Sequence, residues 1–197
     1  MARPPESCGR RPHYTRPIQV LFVCSGNIIR SPMAEAFTGA AARRRGLDVE
    51  VGSAGILPGA RPIPKETLAA IGGGGLDMRG HVSRPLSADL LGGADMVIGM
   101  AREHVREAVF LDEACWPKAF TLREIVRRGT LAGPRPAGQP LASWLALIHS
   151  GRPRQTLLAD DPEDDIADPA GEGRRRVRAA AKEIRALTDR LLELVYP

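Results

Sequence analysis

Lysine is almost missing from this chain. Three lysines (Lys65, Lys118 and Lys182) stand against 25 arginines in a sequence rich in alanine and glycine. That imbalance suggests a biased, GC-rich genome more than a selected basic surface, so a formal net charge of +5 does not by itself indicate nucleic acid. Aromatics are also scarce, at 4% of residues, and none sits in a basic cluster. The stacking platforms interleaved with cations that nucleic acid calls for are therefore absent. The three cysteines, Cys8, Cys24 and Cys115, are widely spaced, with no CxxC pair and no histidine at ligand distance, which argues against a disulfide scaffold and against a zinc site. No apolar run approaches the roughly 18 residues of a membrane span, and the amino-terminal stretch lacks the apolar centre of a signal peptide. These absences point to a cytoplasmic protein with reduced thiols, no metal, no membrane and no nucleic-acid partner.

What is present is enough sequence for one substantial core: 197 residues, of which 18–197 read as a single α/β domain. Residues 1–17, with four prolines and clustered arginines, cannot bury enough surface to fold alone and read as a basic tail. Ile18–Val23 is a β-branched apolar run suited to a strand buried on both faces, and Met33–Arg45 is a strong helix former ended by Gly46. Val49–Val51 reads as a second strand, Lys65–Ile71 as a helix, Asp95–Met100 as a third strand, and "AREHVREAVF" as the helix after it. Strands alternating with helices imply a parallel sheet with helices on both faces. Thr121–Arg128 opens as T-x-x-E, a capping box. Leu141, Trp144, Leu145 and Ile148 share one helical face, and Arg174–Val195 carries a long apolar stripe.

The segment that carries chemistry is "VCSGNIIRSP", Val23–Pro32. Cysteine followed six places later by arginine is weak evidence, since about 0.4 such matches arise by chance in this composition. Its position is stronger: the loop leaves a buried strand at its carboxyl end and enters a helix, where doubly wound sheets bind ligands. Ser25, Gly26, Asn27, Ile28, Ile29, Arg30 and Ser31 can turn backbone N–H groups inward as an anion nest, to which the helix adds partial positive charge. Arg30 supplies a planar fork for two phosphoryl oxygens. Such surroundings favour the Cys24 thiolate as nucleophile. Gly26 and Asn27 suit positive φ, Ser31 can donate to the sulfur, and Pro32 fits a first helical turn.

These residues resemble the signature of the low-molecular-weight protein tyrosine phosphatases, V-C-x-G-N-x-C-R-S-P between a strand and a helix. The resemblance continues in register through "VGSAGI" (Val51–Ile56), "GHVSRPLS" (Gly80–Ser87), "ADMVIGMAREHV" (Ala94–Val105) and "DIADPAG" (Asp165–Gly171). It implies a three-layer α/β/α sandwich around a parallel sheet of about four strands. It also implies a phosphomonoester hydrolase without cofactor, acting through a cysteinyl-phosphate: Cys24 as nucleophile, Arg30 on the phosphoryl group, and Asp168 as general acid and then base. Ser53 and His81 match positions that orient the loop from beneath. The implied substrate is a phosphorylated protein, phosphotyrosine first, or a small phosphate ester. Two other readings use the same loop: an arsenate reductase relying on an external thiol, and a non-catalytic phosphate-binding module.

The sequence departs from that pattern in three places. Ile29 stands where the family has its second loop cysteine, so a protective disulfide with Cys24 cannot form there. Ala170 and Gly171 follow Asp168-Pro169 where tyrosine is common, and Ile56, Leu57 and Pro58 offer no aromatic ring. The stretch of about 129–160 is longer than the family's connection; it carries Trp144 and is a candidate lid, although the Trp144 face reads more readily as plain core than as a recognition wall.

Overall fold

In β1 (Ile18–Cys24), successive side chains feed two separate cores. Ile18, Val20, Phe22 and Cys24 join one apolar cluster, while Leu21 and Val23 join another. This is the period-two alternation of a strand covered on both faces. The computed structural model describes residues 16–59, 61–71, 78, 80–158 and 162–197. The expected tail therefore lies outside the described residues as far as position 15. Arg16, within that expected tail, is tied down: its guanidinium donates to both carboxylate oxygens of Asp95, at 2.6 and 2.8 Å.

Four parallel strands make the sheet, in the order β2-β1-β3-β4, so the fold class expected from the resemblance is the one observed. β2 spans Val49–Gly55, β3 Met96–Gly99 and β4 Ala119–Thr121. β2 is longer than the apolar run alone suggests, because it pairs with β1 along its whole length, from Ile18 opposite Val49 to Cys24 opposite Gly55. Pairing here overrides the low strand propensity of Gly52 and Ser53. β3 is shorter than Asp95–Met100, because the Asp95 carboxylate turns to accept from the Gln19 N–H and Arg16. β4 is only three residues, held by its pairing with β3.

Between strands, α1 (Arg30–Arg45), α2 (Lys65–Ile71), α5 (Leu122–Ala132) and the long α7 (Gly173–Val195) cover one face, with α7 packed on the other three. α3 (Ala88–Gly93), α4 (Arg102–Leu111) and a 3₁₀ turn at Glu113–Lys118 cover the other. α1 starts three residues earlier than its apolar pattern suggests and ends at Gly46, whose φ of 63° and N–H bonds to Ala42 and Arg43 close the last turn.

The capping box read at Thr121 forms by half. Thr121 Oγ1 accepts from the Glu124 N–H, but the Glu124 carboxylate leaves the helix terminus and takes two hydrogen bonds from buried Arg152, at 2.8 and 2.9 Å. That guanidinium is stacked between Trp116 and Phe120, 4.0 and 4.2 Å from their ring centroids. A buried arginine needs a charged partner more than the α5 terminus needs its second cap.

α6 (Leu141–His149) packs on α5 and on the 3₁₀ turn. Trp144 is fully buried in it, donating from Nε1 to the Gly133 carbonyl, so this ring is core and offers no wall to a substrate. The chain after α6 is fastened to the start of α4: Arg102 donates to Thr156 O and to Asp164, and Asp165 Oδ1 accepts from the Arg102 N–H. Ile166 N–H then donates to Met100 O at 2.8 Å. These contacts carry the Asp-Pro segment to the carboxyl ends of β1 and β3, the point where the strand order reverses.

Candidate active site

The loop after β1 is built around one residue. Asn27 is the single non-glycine residue with positive φ among the described residues, at 51°, and it is fully buried. Gly26, expected to share that conformation, does not; a Cβ there would meet Ile28 Cγ1 at 3.3 Å, which is crowding rather than a backbone demand. The strained turn is compensated by hydrogen bonds. Asn27 Nδ2 donates to Ser31 Oγ (3.0 Å) and Ser53 Oγ (2.8 Å), and its Oδ1 accepts from the Arg84 N–H (3.0 Å). His81 Nε2 lies 3.0 Å from the Asn27 carbonyl. Beneath the loop, Gly55 has no room for a side chain: a Cβ would stand 2.9 Å from both Asn27 N and Ser25 O.

Cys24 ends β1 inside this frame. Its sulfur accepts from the Asn27 N–H (3.2 Å) and from the Ser31 hydroxyl (3.0 Å). The second bond belongs to a wider set of side-chain contacts. Ser31 Oγ already accepts from Asn27, and Ser53 Oγ accepts from Asn27 while donating to Glu35 Oε2 at 2.5 Å. Ser31 Oγ has a second acceptor, the Ala54 carbonyl at 3.4 Å, so its proton lies between the sulfur and that carbonyl.

Arg30, buried at the first position of α1, reaches across the loop mouth. Nη1 donates to Ile166 O (3.0 Å), and Nη2 donates to Ser25 Oγ (3.0 Å) and Asp168 Oδ2 (2.8 Å). The Asp168 side chain is about half exposed, at 46%, with its other oxygen accepting from the Ala170 N–H.

From the far side comes His104, fully buried on α4. Its Nδ1 accepts from the Ala101 N–H at 2.9 Å, and its Nε2 lies 3.0 Å from Ser25 Oγ. Burial first, and the Arg30 charge second, lower its pKa from the usual 6.5 to about 3. With Nδ1 occupied as acceptor, the neutral ring carries its proton on Nε2. It therefore cannot take the Ser25 proton, and the pair is not a nucleophile–base couple. Cys115, by contrast, is buried with the other core, where loss of water raises its pKa to about 11.

Of the residues singled out from the sequence, Cys24, Asn27, Ser31, Ser53 and His81 form one hydrogen-bonded network beneath the loop, and Ser25, Arg30 and Asp168 form another at its mouth. Gly26, Ile28 and Ile29 complete the loop backbone. Glu35, Arg84, Glu103, His104 and the Ile166 carbonyl were not anticipated. Only Glu35, one helical turn after Ser31, carried a local signal.

A parallel sheet that bears a cysteine-arginine loop at its switch point, with an aspartate on the arginine, is an α/β arrangement suited to an oxyanion. Residues 19–132 match the family described as low molecular weight phosphotyrosine protein phosphatase, and the chain belongs to that family. It is a phosphatase of that family. It is 37% identical over 111 residues to the protein-arginine-phosphatase of Bacillus subtilis (strain 168), covering 55% of this chain and 73% of the relative. It is 34% identical over 89 residues to the low molecular weight protein-tyrosine-phosphatase Etp of Escherichia coli (strain K12), covering 45% and 57%. The crystal structure of the low molecular weight protein tyrosine phosphatase from T. tengcongensis superposes with a TM-score of 0.68 at 30% identity, over 89% of this chain and 98% of that one.

Proposed function

We propose that the protein hydrolyses phosphomonoesters through a cysteinyl-phosphate, using one domain over residues 18–197. The observation that carries this reading is the convergence on one loop of a sulfur with two donors, a buried guanidinium and a half-exposed carboxylate. Among the described residues, the amides of Ser25, Gly26, Ile28 and Ile29 make no backbone hydrogen bond, which suits them to a phosphoryl group seated in the loop.

In the first step Arg30 Nη2 exchanges Asp168 for a phosphoryl oxygen. Asp168, freed from the guanidinium, takes up a proton from solvent; Cys24 Sγ attacks phosphorus, the P–O bond breaks, and the leaving oxygen takes that proton from Asp168. In the second step Asp168, now a carboxylate, takes a proton from water as that oxygen attacks phosphorus. The P–S bond breaks and the thiolate returns, held by Ser31 and Asn27.

The substrate is a phosphorylated protein side chain, phosphotyrosine first. Leu57, whose N–H donates to Ser25 O, and Val82, next to His81, expose apolar side chains beside the loop, which suits an aryl group. Phosphoarginine is the second reading, from the likeness to a protein-arginine-phosphatase. Arsenate reduction fits less well, because Cys115 is buried with the other core and an external thiol is needed to resolve the cysteine.

The test is hydrolysis of p-nitrophenyl phosphate, then of phosphotyrosine and phosphoarginine peptides, by wild type and Cys24→Ser. Turnover lost in the variant, with phosphotyrosine preferred, supports the reading. Wild-type protein that binds phosphate and hydrolyses none of the three substrates overturns it.

A further inference from the structure

Among the described residues, His104 is the one buried titratable group in the crevice without a part in the proposed reaction. It reaches the crevice because the sheet reverses order between β1 and β3, which sets the start of α4 against the loop after β1. Gly99 makes the approach close: a Cβ there would stand 3.2 Å from His104 Cβ and 2.9 Å from Ala101 O.

The proton count around Ser25 is complete. His104 Nδ1 accepts from the Ala101 N–H, so Nε2–H faces Ser25 Oγ at 3.0 Å and Glu103 Oε1 at 3.2 Å. Ser25 Oγ also accepts from Arg30 Nη2 at 3.0 Å. When that Nε2–H bonds Ser25 Oγ and not Glu103, both Ser25 lone pairs are taken and its proton points toward Glu103 Oε1, 3.4 Å away. In that arrangement the hydroxyl is held as an acceptor for Arg30.

Arg30 has three anchors: Ile166 O, Ser25 Oγ and Asp168. Asp168 is the exposed one, and it is the contact that a phosphoryl group must replace. The other two keep the guanidinium plane during that exchange, and only the Ser25 anchor depends on a rotatable hydroxyl. We propose that His104 is a positioning residue which, through Ser25, holds the Arg30 guanidinium in the orientation that receives the phosphoryl group. This rests on the phosphatase reading of the site.

Glutamine is the discriminating substitution. At the third position of a helix it can accept from the N-cap N–H as His104 does, and its amide keeps a donor for Ser25. Leucine keeps bulk and loses both.

The experiment measures the dissociation constant of inorganic phosphate, and kcat and KM for p-nitrophenyl phosphate. The proteins are wild type, His104→Leu, His104→Gln, Ser25→Ala and the Ser25→Ala/His104→Leu double variant. Expected results are phosphate binding weakened about tenfold in His104→Leu, recovered to within about threefold of wild type in His104→Gln, and no further loss when leucine is added to Ser25→Ala. A folded His104→Leu protein with wild-type phosphate affinity overturns the proposal. So do losses that multiply in the double variant, or a glutamine variant as weak as leucine. Should leucine prevent folding, Ser25→Ala with wild-type phosphate affinity overturns it alone. Wild type that neither binds phosphate nor turns over removes the phosphatase reading instead, and this inference with it.

Discussion

Arg30 Nη2 and Asp168 Oδ2 lie 2.8 Å apart across 138 residues of sequence. The proposed phosphate-holding cation and the proposed acid are thus paired with each other, and the proposed reaction requires a phosphoryl group to separate them.

Asp168→Asn separates binding from chemistry. Turnover of p-nitrophenyl phosphate should fall about 10²-fold or more, the usual worth of a positioned acid. Inorganic phosphate should bind as tightly as in wild type or more tightly, since Arg30 no longer holds a carboxylate. Steady-state kinetics with phosphate as competitor reads both, and a matching loss of phosphate affinity would count against the exchange.

The cysteines should react unequally. Iodoacetamide at neutral pH should modify Cys24 and abolish turnover, while Cys115, buried and with its pKa raised to about 11, should stay unmodified until the protein unfolds. Peptide mass analysis before and after adding denaturant checks this, with phosphate expected to protect Cys24.

Gly55→Ala tests the floor of the loop. A Cβ 2.9 Å from two backbone atoms of the loop cannot be absorbed by a side-chain rotation. The expected result is weaker phosphate binding together with about 1–3 kcal/mol lost stability, seen as a melting point several degrees lower.

Acid should destabilise the fold in a defined window. His104 has a folded pKa near 3 against 6.5 unfolded, and that of His149 is also lowered, by burial and by Arg152 and Arg128. Below 6.5 the unfolded chain binds protons that the folded chain refuses, so this stability is full above 6.5 and is lost as pH falls toward 3. His104 contributes a slope of about 1.4 kcal/mol per pH unit there. Urea unfolding at successive pH values should show that slope reduced in His104→Gln.

Glu124→Ala leaves the Arg152 guanidinium buried between Trp116 and Phe120 without its carboxylate. A loss of about 3–5 kcal/mol is expected, measured by chemical denaturation.

Sequence alone determined the parts whose cause is local. The strand–loop–helix unit around Cys24 follows from an apolar run, a Gly-Asn turn and a Ser-Pro helix start. α2 and the long α7 follow from composition and period, and the order of the signature segments carried the family and its sheet. Tertiary structure alone decided the rest. β4 is a strand because β3 is beside it, since three residues have too little preference of their own. Glu124 reads as a cap and becomes the partner of Arg152, because a buried guanidinium costs more to leave unpaired than a helix terminus does. Trp144 reads more readily as core than as a wall, and packing between α5, α6 and α7 made it core. His104 carries no local signal, because its proton is placed by Ala101 on one side and Ser25 on the other. Those contacts exist only where the strand order reverses, and a one-dimensional pattern holds no record of which donor meets which acceptor across a folded sheet.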